Sequence, residues 1–187
     1  RLGNAFANSR SPGKSLKKIC VEEHFSTADH LEKMLSIYEK RYASPQVLQE
    51  EQHILSDAPF LSTMSSEPGT RKMIERLCDM GKERLELMDK NGIETQVLSL
   101  VSPGVQVFEG NAATMLAKEY NNRLAAAAKE NPKRFIGLAC LAPQYPDDAA
   151  EELERAVREL GFRGGIINSH TKGEYLDDRK YWVIFER

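Results

Sequence analysis

Within the run Val21-Glu22-Glu23-His24-Phe25, a carboxylate and an imidazole stand two residues apart. On a β-strand alternate side chains share a face, so Cys20, Glu22 and His24 point one way and Ile19, Val21 and Glu23 the other. Ile19 and Val21 are expected to pack on covering helices, which directs Glu22 and His24 inward. A buried carboxylate and imidazole need partners, because an unpaired buried charge costs several kcal/mol. A divalent metal is one such partner, and oxygen and nitrogen donors of this kind suit zinc or manganese, with magnesium also acceptable. The same spacing serves equally for an ion pair or a hydrogen-bonded structural histidine. Two ligands also fall short of the three that a catalytic metal usually takes. On these residues alone both readings stay open.

The surrounding sequence alternates between short apolar runs and helical stripes. Lys18–Phe25, Thr95–Leu100, Phe135–Leu141 and Gly164–Asn168 read as buried parallel strands. Between Asn111 and Asn131, Ala113, Leu116, Ala117, Tyr120, Leu124, Ala127 and Ala128 recur at three- and four-residue steps, as one helix face does. A second stripe, Ala149, Ala150, Leu153, Ala156, Val157 and Leu160, lies between Pro146 and Gly161, which serve as start and stop signals. Glu83–Asn91 reads as a third helix, closed by Gly92. Strands alternating with helices over short connections imply parallel strands and crossovers, in a doubly wound sheet or a barrel.

Two segments depart from this pattern. Residues 1–17 are basic and carry no acid, and they read as a flexible tail or a targeting remnant. Ser44–Gly69 holds Pro45, Pro59 and Pro68 without a long stripe, and it reads as an insertion following the first strand and helix.

Four residues at the carboxyl ends of the later strands are candidates for substrate contact: Ser99 and Pro103 after the second strand, Asn168 and His170 after the fourth. His30 and His53 have no ligand spacing and are expected at the surface. Ser102 lacks the flanking glycines of a nucleophile elbow. Acids and bases are mixed along the chain, with a net charge of −2. That excludes a basic nucleic-acid stripe or a polybasic membrane patch. No apolar run approaches the roughly 20 residues that span a bilayer. Cys20, Cys78 and Cys140 form neither a zinc spacing nor a disulfide framework, which points to buried thiols in a reducing cytoplasm.

The run Cys20–Phe25 resembles the first strand of the amidohydrolase-related decarboxylases, the group of the γ-resorcylate and 2,3-dihydroxybenzoate decarboxylases, where Glu-x-His replaces His-x-His. The stretches Arg84–Leu100 with Ser102–Gln106, Asn131–Phe135 and Leu160–His170 agree with it. The resemblance implies a (β/α)₈ TIM barrel of the metal-dependent hydrolase type, present here as roughly its first half over residues 18–187. It implies loss of CO₂ from a hydroxylated aromatic acid, a divalent metal held in part by Glu22 and His24, and no organic cofactor. It also implies assembly as a dimer or tetramer. The remaining ligands and the proton donor are expected beyond residue 187, because a complete barrel takes roughly 200 residues or more. A lactone or amide hydrolase on the same scaffold, or a non-catalytic barrel fragment, are the alternatives.

Overall fold

The computed structural model describes residues 17–42 and 68–187. The expected tail, up to residue 16, and the expected insertion, up to residue 67, lie outside these residues, as does His53. Among the described residues five parallel strands carry the architecture: β1 (Lys18–Phe25), β2 (Ile93–Leu100), β3 (Phe135–Gly137), β4 (Ala139–Cys140) and β5 (Gly165–Ile166). Helices fill the connections: α1 (Ala28–Tyr42), α2 (Pro68–Cys78) and α3 (Lys82–Lys90) between β1 and β2, α4 (Asn111–Glu130) before β3, and α5 (Pro146–Arg158) before β5. A short α6 (Trp182–Phe185) follows a 3₁₀ turn at Arg179–Tyr181.

The expected strand Phe135–Leu141 is interrupted at Leu138. Its first half pairs with β2 and its second with β5, yet Leu138 N still donates to Leu98 O at 2.9 Å. Chain direction and hydrogen bonding therefore pass through the break, and one stretch of chain joins the two small sheets. Beyond the break the Asn121 side chain supports β4: its Oδ1 accepts from Cys140 N at 2.9 Å and its Nδ2 donates to Cys140 O at 3.0 Å.

The core lies between the strands and the helices. Leu98, Leu100 and Phe135 meet Ala113, Ala117, Tyr120 and Leu124 of α4 and Ala149, Ala150 and Ala156 of α5, all buried. The stripe read on α5 errs at two positions. Val157 is exposed, whereas Glu152 is buried because Arg155 Nη2 and Asn121 Nδ2 donate to its Oε1 at 2.7 and 2.8 Å. A charge enters the core here because its partners enter with it. At Gly137 the strand runs so close to Phe162 that a Cβ would lie 2.4 Å from its Cε1.

Helix α2 has no counterpart in the sequence reading, which ended an irregular stretch at Gly69. Pro68 opens it, and proline at a first helical position was the signal available.

Candidate active site

Strand β1 does not alternate evenly. Cys20, Glu23 and Phe25 register with Gln96, Leu98 and Leu100, while Ile19 and His24 register with Thr95 and Ser99. Between Cys20 and Glu23 the strand carries one residue more than its partner, a bulge in which Val21 and Glu22 both stand opposite Val97. Cys20 therefore lies on the helix-covered face, where it hydrogen-bonds Glu23, rather than beside Glu22 and His24. Burial and this carboxylate both push the Cys20 thiol up. Ile19 and Val21 do not pack on helices as expected. They are 59% and 72% exposed, because register and bulge turn them to the open side of the strand.

Glu22 lies within the bulge and has no register partner on β2, whereas His24 lies past it, opposite Ser99. Glu22 is exposed and His24 half-buried, so desolvation by these residues does not itself demand a metal at Glu22. His24 is nonetheless held. Its Nδ1 lies 3.1 Å from Ser99 Oγ, and Ser99 is buried. The ring is thus fixed through one nitrogen, and among the described residues the other makes no hydrogen bond.

Behind the strand, the buried Arg84 guanidinium fixes the backbone. Arg84 Nη2 donates to the carbonyl oxygens of His24 at 3.0 Å and Arg76 at 2.9 Å, Nε to that of Asp79 at 2.6 Å, and Nη1 to Gln96 Oε1 at 3.2 Å. Burial pulls the Arg84 pKa down, while the charges of Glu23 and Asp79 oppose it. An open cavity of about 320 Å³ borders this region, with Glu22, Glu23 and His24 on the strand side and Arg76, Asp79 and Arg84 on the helix side.

The other candidates fall at the same carboxyl ends but are differently engaged. Ser99 supports His24. Asn168 Nδ2 donates to Pro103 O and to Gln106 Oε1, both at 2.9 Å. His170 is exposed, its ring 6.0 Å from that of Tyr175. The peptide bond between Ser102 and Pro103 is cis. Among the described residues no group of three His, Cys, Asp or Glu side chains could hold a metal ion.

His30, expected at the surface, is completely buried. Its Nε2 donates to Gly104 O at 3.2 Å, and its Nδ1 lies 2.8 Å from Ser26 Oγ. A carbonyl only accepts, so Nε2 carries the proton and Nδ1 accepts from the Ser26 hydroxyl. Its ring meets Tyr120 edge-on at 5.1 Å. Burial lowers its pKa, against the raising effects of Gly104 O and Asp29. The signal available was its place on the apolar side of α1, in line with Met34 and Tyr38, which are also buried. Asp29 beside it stays well below the carboxylate range. Burial alone would raise it, and hydrogen bonds from Lys33, Thr27 and Tyr120 with the Arg123 charge outweigh that effect.

A sequence model described as amidohydrolase matches residues 51–187. The chain belongs to the amidohydrolase family. Amidohydrolase relatives include the γ-resorcylate decarboxylase of a Polaromonas species, 33% identical over 176 residues that cover 90% of this chain and 46% of that protein. Among solved structures, a 5-carboxyvanillate decarboxylase from Novosphingobium aromaticivorans, carrying manganese and a nitrobenzoic acid, matches with a TM-score of 0.80 and 35% identity. That match covers 91% of this chain and 47% of the other. A dihydroxybenzoic acid decarboxylase from Polaromonas, with manganese and 2-nitroresorcinol, matches at 0.70 and 32%, over 92% and 46%. The chain thus spans about half the length of these relatives. Its parallel strands and covering helices are the corresponding part of an amidohydrolase (β/α)₈ barrel. No helix among the described residues is long and apolar enough to cross a membrane.

Proposed function

We propose that this amidohydrolase chain forms part of the metal and substrate site of an enzyme that removes CO₂, without oxidation, from a hydroxylated aromatic acid. The observation that carries this reading is the His24 ring at the carboxyl end of β1, oriented through Ser99 with Glu22 two residues before it. The donor set fits a divalent ion: an exposed carboxylate, and an imidazole whose second nitrogen is unengaged. Further ligands would come from outside the described residues. Manganese is favoured over zinc, because both similar decarboxylases cited above hold it. A bound ion of this kind supplies Lewis acidity toward substrate oxygen.

The chain's own residues do the positioning. Ser99 sets the His24 ring, Arg84 fixes the backbone behind it, and the segment after β2 forms one wall. Substrate would enter at the carboxyl ends of the strands, where barrel enzymes place their sites. We place the protein in the cytoplasm on its unpaired cysteines, of which Cys140 is buried.

The test compares this chain with the product of its whole reading frame, measuring bound metal and CO₂ release from a panel of hydroxybenzoates. Manganese bound through Glu22 and His24, with CO₂ released from one or more of the acids, is expected. Hydrolysis of a lactone with no CO₂ release would overturn the decarboxylase reading.

A further inference from the structure

The segment joining β2 to α4 is held from three other strand ends. His30, beyond β1, donates to Gly104 O. Gln144, beyond β4, donates from Nε2 to Val105 O at 3.0 Å and to Phe108 O at 2.9 Å. Asn168, beyond β5, donates to Pro103 O. A loop tied this way is a rigid part of the rim.

Gln106, within that segment, reaches back across the rim with its whole carboxamide. Its Oε1 accepts from Asn168 N at 2.8 Å and from Asn168 Nδ2 at 2.9 Å. Its Nε2 donates to His170 O at 3.1 Å and to Thr171 Oγ1 at 2.7 Å. These contacts admit one orientation of the amide. Turned over, Oε1 would face the His170 carbonyl oxygen and Nε2 would face the donors of Asn168. Thr171 is buried by this arrangement, whereas His170, one residue earlier, stays exposed beside Tyr175.

We propose that Gln106 is a positioning residue for substrate: it holds residues 168–171 so that the His170 imidazole, beside the open Tyr175 ring, meets the carboxylate or phenolic oxygen of an aromatic acid. The inference rests on the decarboxylase reading above. Asn168 is the weaker candidate for that contact, since its Nδ2 is already shared between Pro103 and Gln106. Imidazole N–H groups are the donors that such oxygens need. Tyr175, 62% exposed, offers an aromatic surface to the ring.

The experiment uses the product of the whole reading frame, with 2,6-dihydroxybenzoate as the probe acid in the presence of magnesium, followed by NMR of the histidine rings. In the unaltered protein the His170 signals are expected to shift on addition of the acid. Gln106→Glu keeps an acceptor toward Asn168 and sets a second oxygen against the His170 carbonyl. It should weaken acid binding about tenfold, the scale of one contact side chain losing its fixed position. Manganese affinity, read by paramagnetic broadening at His24, should stay unchanged. His170→Ala, at an exposed position, is the second variant and should weaken the acid by a similar factor. Absence of a shift at His170, or unchanged acid affinity in His170→Ala, overturns the inference. Absence of manganese broadening at His24 overturns the metal reading instead.

Discussion

Arg84 Nη2 donates to the carbonyl oxygen of His24 at 3.0 Å, so a buried cation grips the backbone of the candidate metal ligand from behind. The guanidinium is satisfied by three carbonyl oxygens and an amide oxygen rather than by a carboxylate in contact with it. Its planar fork is what lets one side chain reach α2, β1 and β2 together.

Arg84→Met is therefore expected to leave several buried acceptors unpaired, at a cost of about 2–4 kcal/mol. Arg84→Lys should recover only part of this, because an ammonium cannot reproduce the fork. Urea unfolding followed by circular dichroism measures both. A loss below about 0.5 kcal/mol for Arg84→Met, at the level of ordinary surface changes, would show that the guanidinium is not the joint.

Ser99 orients His24 through Nδ1. Partners of this kind typically change metal affinity by about 10- to 100-fold when removed. Ser99→Ala should weaken manganese binding within that range, and Ser99→Thr, which keeps the hydroxyl, should restore most of it. Calorimetric titration of the whole reading frame's product with manganese reads the difference. Equal affinity in Ser99→Ala and the unaltered chain would leave the serine as a wall only.

The stability of the fold should fall on acidification partly through His30. Its folded pKa lies below its ordinary value of 6.5 because the ring is buried neutral. The unfolded chain thus takes up a proton that the folded chain refuses, and stability rises with pH wherever that is so. The His30 contribution is complete above about pH 6.5 and declines as pH falls through that value toward the folded pKa. Unfolding free energies measured from pH 7.5 to 5 should decline, and His30→Gln should flatten that part of the curve. An equally steep decline in His30→Gln would assign it to other groups.

Alternation in Lys18–Phe25 holds past the bulge, where Glu23, His24 and Phe25 register with Leu98, Ser99 and Leu100. It failed for Cys20, Ile19 and Val21, since one extra residue reverses every side chain on its far side. Periodicity gave α4 almost to the residue, since its buried positions are small or apolar. It missed the buried Glu152 because a paired charge leaves no apolar signature. His30 was missed because a neutral, hydrogen-bonded imidazole is itself polar even where Met34 and Tyr38 mark its helix face as buried. Gln106 was missed because its four contacts join segments over 60 residues apart. The family was legible because its motifs are local, whereas the bonds that orient those motifs are not.

Close approach at Gly137 makes the last prediction. A Cβ there would sit 2.4 Å from Phe162 Cε1 and 2.5 Å from Cδ1, inside any real contact distance. Phe162 is buried and its ring cannot withdraw without disturbing the packing around it. Gly137→Ala should therefore destabilise by about 1–3 kcal/mol, the usual range for overpacking. Pairing it with Phe162→Leu removes the ring edge that clashes, so the double variant should be more stable than the sum of the two single losses. Additive losses in that double-mutant cycle would mean that the strain at Gly137 comes from backbone conformation and not from the Phe162 ring.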